Sequence, residues 1–294
     1  MIPVRDLMRR LAVAIVGIPL VFFVLYQGGW ILTGLLAVIA VMATRELYAL
    51  ASAKGTRAFY LLGTAGALAL VLLAGWVRAF EPWAPWALGV LMVLFFLASA
   101  SAVGSRGPDD RPLFVASLTG IGALYWGAGF SFAVFLRHMP ETTGWPESAS
   151  ANQGLALLAF PFAVTWLADT AAYLFGHAFG RRKLAPRVSP GKTVVGGVAG
   201  LVTSILSAAI LAWAFLDLHP SPILEICLGG SMGVLMGVTI QMGDLIESLF
   251  KREAGVKDSA SLLPGHGGVL DRFDALVFTI PLTYGLLRLV GILT

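Results

Sequence analysis

Charged residues are scarce in this sequence, and their scarcity decides the class of protein. Only 12% of the 294 residues are Asp, Glu, Lys or Arg, whereas 58% are hydrophobic, and the mean hydropathy is +0.85. Soluble domains carry roughly 25% charged residues, so this chain has too few to cover a surface that faces water. The composition therefore excludes a soluble globular domain and makes lipid the relevant solvent.

Cysteine is almost absent as well. Cys227 is the single cysteine and lies within an apolar run, which excludes a disulfide framework and predicts a buried, unreactive thiol. The pI near 9.4 could suggest nucleic acid, but the basic residues lie in short segments between apolar runs. We therefore expect no nucleic-acid partner.

Long apolar runs are what the sequence has in abundance. A helix needs roughly 20 apolar residues to cross about 30 Å of hydrocarbon. Nine runs approach that length, near residues 11–27, 30–44, 59–77, 84–103, 113–136, 154–177, 194–216, 223–243 and 275–293. The sequence thus predicts an all-α, polytopic integral membrane bundle of about nine transmembrane helices, with the lipid bilayer as a partner. Gly229, Gly233 and Gly237 recur every four residues in the eighth run, which predicts close helix packing.

Basic residues alternate between the segments that join these runs. Alternate segments, starting with the N-terminus, carry seventeen Lys and Arg, whereas the intervening segments carry two. Because positive residues stay on the cytoplasmic side, we expect a cytoplasmic N-terminus in a multi-pass protein of the cell (inner) membrane. We divide the chain into an N-terminal region of about five spans, residues 1–153, and a C-terminal catalytic region, residues 154–294.

Two cytoplasmic loops of the C-terminal region, residues 178–193 and 244–274, hold nine of the twenty basic residues. Such a concentration of charge predicts a polar cavity at the cytoplasmic face. In the second loop, the glycine-rich run of residues 264–268 would let backbone N–H groups converge on an anion. Positive charge around it would come from Lys192, Lys257 and Arg272.

Carboxylates accompany these cations. Asp244 ends the eighth run, and Asp271 and Asp274 lie where the last run begins, a position that a helix N-terminus alone would explain. An antiparallel helix pair would bring Asp244 and Asp271 close together, and like charges at that distance need a cation. Mg²⁺ is typically held by one or two carboxylates and substrate phosphates. We therefore expect metal-assisted phosphoryl or nucleotidyl transfer, with a second cation left open.

Two further acids have competing explanations. A carboxylate at a helix centre costs about 2.5–3.5 kcal/mol on insertion scales, so Asp169 needs a partner, which a functional site or a structural hydrogen bond would supply equally well. Glu247, Ser248 and Lys251 share one helical face with the end of the eighth run. A solvated face is an adequate explanation for Glu247 and Lys251.

The second loop resembles a known family signature. The run SLFKREAGVKDSASLLPGHGGVLDRFD, from Ser248 to Asp274, is similar to the signature of the phosphatidate cytidylyltransferases, also called CDP-diacylglycerol synthases. The matching positions are Ser248, Lys251, Arg252, Lys257, Asp258, Pro264, His266, Gly267, Gly268, Asp271, Arg272 and Asp274. Asp169–Tyr173 and Ser189–Thr193 also resemble the family's cytoplasmic segment, whereas Val195 stands where the family usually has Glu.

The resemblance implies a reaction in which CTP and phosphatidate give CDP-diacylglycerol and pyrophosphate, with Mg²⁺ as cofactor. The implied catalytic residues are Asp244, Asp271, Lys192, Lys257 and Arg272. The implied metal ligands are Asp244, Asp271 and Asp274. The implied substrate contacts are Asp169, Ser189, Thr193, Ser248, Lys251, Arg252, Asp258, His266, Gly267 and Gly268.

Other functions stay open at this point. A CTP-dependent polyprenol or lipid-alcohol kinase would transfer the γ-phosphoryl group and release CDP, and Val195 leaves room for an inactive paralogue. A transporter or channel would spread its acids through the membrane depth, whereas here only Asp169 lies deep. A CDP-alcohol phosphatidyltransferase would carry an Asp-Gly pair, which this sequence lacks. Homodimerisation through small-residue faces is a further expectation.

Overall fold

Long helices make up most of the structure, a computed structural model that describes residues 21–143, 152–260 and 268–293. The helices are α1 (residues 21–27), α2 (Gly29–Ser52), α3 (Tyr60–Val77), α4 (Phe80–Ser105), α5 (Pro112–Gly122), α6 (Gly129–Thr143), α7 (Gln153–Phe179), α8 (Val194–Phe215), α9 (Pro222–Ala254), α10 (Leu270–Phe273) and α11 (Leu276–Leu293). A π-helical segment, Ala123–Ala128, joins α5 to α6. Strands β1 (Lys183–Ala185) and β2 (Ser189–Thr193) form an antiparallel hairpin between α7 and α8.

Eight helical stretches in the described residues are long and apolar enough to cross a bilayer, which confirms the all-α polytopic prediction. They overlap the last eight of the nine predicted runs. Most of the first run lies outside the described residues. Its last part, residues 21–27, is described and is helical. The predicted end of the second run at residue 44 is wrong, because α2 continues to Ser52. Charged residues in this last part of α2 have partners within the protein. The Arg45 guanidinium, for example, lies 5.3 Å from the centre of the Tyr60 ring.

Helices α7, α8 and α9 pack as consecutive neighbours, and glycine sets how closely α8 and α9 approach. A Cβ on Gly233 would lie 2.5 Å from the Ser204 carbonyl oxygen, and one on Gly237 would lie 2.1 Å from Ser204 Oγ. Ser204 Oγ donates a hydrogen bond to the Gly233 carbonyl at 2.9 Å. The predicted close packing of the eighth run is confirmed.

Cys227 lies on the same helix but is exposed, so the prediction of a buried thiol is wrong. An apolar run does not say which of its residues face protein and which face lipid. On α9 the glycines take the protein-facing side, and larger side chains such as Ile226 and Leu235 are exposed.

Helix α11 joins both halves of the sequence into one bundle. It packs against α6 from the N-terminal half and against α7 and α9 from the C-terminal half. Tyr284 of α11 lies in an aromatic cluster, with ring centres 5.4 Å from Phe132 and 6.0 Å from Phe80 and Phe135. The division of the chain into an N-terminal region, residues 1–153, and a C-terminal region, residues 154–294, stays a prediction.

Replacing Gly233 with alanine should force α8 and α9 apart and destabilise the bundle. The added methyl group would meet main-chain atoms of Ser204 and Ile205 at 2.5 and 2.7 Å, and overpacking of this kind costs roughly 1–3 kcal/mol. The measurement is the melting temperature of the purified protein in detergent. Gly230→Ala is the matched control, since a Cβ there meets nothing nearer than 3.8 Å. Equal melting temperatures for the two variants would contradict this packing.

Candidate active site

Polar side chains converge at the end of the bundle where α9 ends and α10 begins. The hairpin β1–β2 covers this end, since Arg252 Nε of α9 donates a hydrogen bond to the Val188 carbonyl at 3.2 Å. The C-terminal part of α2 reaches the same place, because α2 and α10 pack against each other. Side chains from α2, β2, α9 and α10 can therefore share one site.

The ion pair Lys192–Asp244 joins the hairpin to α9. Lys192 Nζ lies 2.5 Å from Asp244 Oδ2, and each side chain is 26% exposed. The next residue, Thr193, caps α8, because its Oγ1 accepts a hydrogen bond from the Gly196 N–H at 3.1 Å. The cap fixes the residue at which β2 ends and α8 begins. Lys192 immediately precedes this residue, so the cap also helps to hold Lys192 beside α9.

Asp274 joins Asp244 and Glu247 in a cluster of carboxylates. Glu247 lies about one turn further along α9 than Asp244, and Asp274, between α10 and α11, lies beside both. Gly243 permits this approach, since a Cβ there would lie 2.8 Å from Ala275 Cα and 2.9 Å from the Asp274 carbonyl oxygen. Glu247 is 3% exposed, and its Oε1 is buried without a hydrogen-bond partner in the part of the chain that the structure describes.

Lys251 neutralises the other side of this acidic cluster. Its Nζ lies 3.0 Å from Glu247 Oε2 and 2.6 Å from Asp271 Oδ1, and its side chain is 13% exposed. The expectation of a solvated face for Glu247 and Lys251 is therefore wrong, because a lysine can leave water together with acids that satisfy it. Asp271 Oδ2 accepts hydrogen bonds from Ser259 N, Ser259 Oγ and Gly268 N at 3.0, 2.9 and 2.8 Å.

Glu46 of α2 belongs to the site but is absent from the residues predicted from the sequence. It is 4% exposed, and it accepts hydrogen bonds from Ser259 Oγ, Val269 N and Leu270 N at 2.8, 2.9 and 2.8 Å. Ending the second run at residue 44 assigns Glu46 to a loop, where an acid needs no explanation. The signal was available, since an acid within a longer helical run requires a buried partner.

Other predicted residues line the same end of the bundle. Asp169 of α7 lies within electrostatic range of Asp244 and Lys192, so the structure gives this acid charged neighbours. Ser248 of α9 and Ser189 of β2 are partly buried. Ser248 and Ser189 therefore lie on the two elements that supply the ion pair, α9 and β2, and Asp169 adds α7 to the site.

The remaining predicted residues lie further out. Lys257 and Asp258 are exposed on the segment that follows α9, and Arg272 is exposed on α10. Besides its bond to the hairpin, Arg252 donates to the Val256 carbonyl at 3.3 Å, so it organises main chain at this end. Two predicted residues lie outside the described ranges, His266 and Gly267.

Partly buried lysines and clustered carboxylates at one end of a membrane bundle define a class of membrane-embedded site suited to anionic, phosphate-bearing substrates. The comparison with known families makes the class specific. The chain belongs to the cytidylyltransferase family, whose family model matches residues 8–290. It is therefore a nucleotidyltransferase, and the resemblance carried by the run from Ser248 to Asp274 is confirmed.

The chain is also similar over nearly its whole length to proteins named phosphatidate cytidylyltransferase. It is 35% identical over 295 residues to the one from Synechocystis sp., which covers 94% of each chain. The corresponding protein from Staphylococcus epidermidis is 34% identical over 280 residues, covering 93% of this chain and 96% of the relative. That from Staphylococcus aureus is 32% identical over 283 residues, with the same coverage.

Replacing Lys251 with methionine should strongly destabilise this end of the bundle. The change leaves the Glu247 and Asp271 carboxylates without their shared cation, and breaking a buried ion pair by removing one partner costs about 3–5 kcal/mol. The measurement is the melting temperature in detergent. Lys257→Met makes the same chemical change on an exposed side chain and should melt with the wild type. If both variants melt alike, the paired carboxylates do not depend on Lys251.

Proposed function

We propose that this nucleotidyltransferase transfers CMP from CTP to phosphatidate, giving CDP-diacylglycerol and pyrophosphate for phospholipid synthesis. The names of its relatives support phosphatidate as the acceptor. One observation carries the proposal: three carboxylates converge between two lysines, Lys192 on one side and Lys251 on the other. Lysines of this kind bind phosphate oxygens, and clustered acids bind the divalent cation that accompanies a triphosphate.

The acids of the site fit such a cation. Asp274 lies close enough to Asp244 and to Glu247 for the charges to repel, and Glu247 Oε1 is buried with no donor among the described residues. Within those residues no three Asp, Glu, His or Cys side chains form a ligand set by themselves. Mg²⁺ does not require one, since carboxylates, water and substrate phosphates usually share its coordination.

We assign the metal to Asp244 and Asp274, with Asp271 as a further predicted ligand. Asp271 divides its oxygens between Lys251 and the main chain around Ser259, which favours a role in organising the site as well. Bound there, Mg²⁺ would neutralise phosphate charge as pyrophosphate departs. A second cation stays a prediction.

The reaction requires two anions to meet. A phosphate oxygen of phosphatidate attacks the α-phosphorus of CTP, so that a new P–O bond forms and the bond to the departing pyrophosphate breaks. An ionised phosphate needs no base, so charge neutralisation and orientation supply most of the rate. Lys192 can exchange its contact with Asp244 for a phosphate oxygen, and Lys257 and Arg272 are predicted to hold the other phosphates.

We further infer that the site faces the cytoplasm from the cell (inner) membrane. Exposed basic residues of the hairpin and of the segment before it lie at the same end of the bundle as the site, namely Arg181, Arg182, Lys183 and Arg187. Such residues mark the cytoplasmic side of a membrane protein. The acyl chains of phosphatidate would stay in the bilayer while its head group enters from this side. Homodimerisation stays a prediction.

Pyrophosphate release by the purified protein in mixed micelles is the direct test. Release should require phosphatidate, CTP and Mg²⁺ together, and CDP-diacylglycerol should form in an equal amount. In a parallel assay with a lipid alcohol in place of phosphatidate, formation of CDP with the phosphorylated alcohol would instead identify a kinase. No product from folded, monodisperse protein would sink the proposal and favour an inactive paralogue, in which case the Val195→Glu variant would show whether the missing Glu is the cause.

The Asp244→Asn variant should lose activity about 100-fold or more, because it keeps the shape of the side chain but removes the charge that binds the metal and orients Lys192. The measurement is the initial rate of pyrophosphate release over a range of Mg²⁺ concentrations. Glu253→Gln is the control, since Glu253 lies on the same helix and is exposed. Wild-type turnover and metal dependence in Asp244→Asn would remove Asp244 from the site.

A further inference from the structure

A buried carboxylate ties the N-terminal half of the chain to the family signature. Glu46 Oε1 accepts a hydrogen bond from Val269 N, and Glu46 Oε2 accepts from Leu270 N and Ser259 Oγ. These donors lie 213 to 224 residues away in sequence. Both oxygens of the carboxylate are therefore committed to one short part of the chain.

The three donors lie on both sides of the glycine-rich run. In the sequence, Ser259 precedes residues 264–268, and Val269 and Leu270 follow them. A single side chain in α2 thus contacts the chain between α9 and α10 at Ser259 and again at Val269 and Leu270. Because α2 is a long, regular helix, Glu46 provides a fixed point for both flanks.

Asp271 holds the same segment from the opposite side. The Ser259 hydroxyl lies between the two carboxylates, with its Oγ 2.8 Å from Glu46 Oε2 and 2.9 Å from Asp271 Oδ2, so its single hydrogen is shared between them. Gly268 packs directly against these side chains, since a Cβ on this residue would be 2.1 Å from Ser259 Oγ and 2.3 Å from Glu46 Oε2. The other oxygen of Asp271 pairs with Lys251, so the position of the segment determines the position of that ion pair.

We propose that Glu46 is a positioning residue for nucleotidyl transfer. It fixes both flanks of the glycine-rich run, and through Ser259 it sets the orientation of Asp271 and its partner Lys251. The inference rests on the proposed function and gives the N-terminal half a part in the reaction. Burial of an acid in a membrane helix is costly, and charge-assisted hydrogen bonds from two main-chain N–H groups and the shared Ser259 hydroxyl offset that cost.

The test is the Glu46→Gln variant. Glutamine has nearly the same shape, but its NH₂ group cannot accept from the N–H groups that face it. We expect kcat/KM for CTP to fall roughly 10- to 100-fold, the range seen when groups that orient a reactive residue are removed. Glu46→Asp keeps both acceptor oxygens and should recover part of the loss. Ser259→Ala should lose less than Glu46→Gln, and the double variant should lose less than the product of the two.

A second readout reports the segment itself. Lys257 is exposed on the segment that Glu46 holds, so trypsin should cut after Lys257 several-fold faster in Glu46→Gln than in the wild type. The assay uses the folded, full-length protein in detergent and needs no substrate. It therefore tests the hold of Glu46 on this segment even if the wild type fails to make CDP-diacylglycerol, and the two failures are distinguishable.

Glu225→Gln is the matched control for general damage. Glu225 is also buried, at 5% exposure, and accepts a main-chain hydrogen bond from Leu218 N at 2.7 Å, but it lies at the beginning of α9, away from the site. It should lower the melting temperature without changing KM for CTP or cleavage at Lys257. Unchanged kinetics and cleavage in Glu46→Gln, or equal changes in both variants, would overturn the proposal.

Discussion

Four acids at the site end of this bundle, Glu46, Asp244, Glu247 and Asp271, need a cation or a set of donors, because a bare carboxylate beside lipid costs too much free energy. Lys192 forms an ion pair with Asp244, and Lys251 forms ion pairs with Glu247 and Asp271. Main-chain N–H groups donate hydrogen bonds to Glu46. Since the partners come from different elements, satisfying the acids brings those elements together. The arrangement of α2, the hairpin, α9 and α10 follows from this requirement.

The helices could be predicted from the sequence because lipid leaves few alternatives to an apolar run of sufficient length. The prediction fails where charged residues belong to a helix, as at the end of α2, since Arg45 and Glu46 look like the start of a loop until their partners are known. It also fails at the hairpin. Strands β1 and β2 are short, largely exposed and rich in Pro, Gly and basic residues, so they lack the apolar alternation that marks a strand.

The candidate site could be predicted in part, for a different reason. The run from Ser248 to Asp274 is one continuous stretch, so its residues could be recognised without knowing the fold. Glu46 could not be found in this way, because it reaches that run only through tertiary structure. Glu247 looked like a surface acid, since helical spacing shows which residues share a face but does not show that Lys251 and Asp274 cover it.

The two sides of the site are attached to the bundle by different means. On one side, Lys192 is held by helix packing, because the cap at Thr193 leads directly into α8, and glycine locks α8 against the helix that carries Asp244. On the other side, the segment between α9 and α10 is held by hydrogen bonds to two carboxylates. Tight packing of main chain has no partly open form, whereas hydrogen bonds can exchange with water one at a time. The contacts around Ser259 and Gly268 can therefore loosen one at a time, whereas α8 and α9 can separate only as a unit.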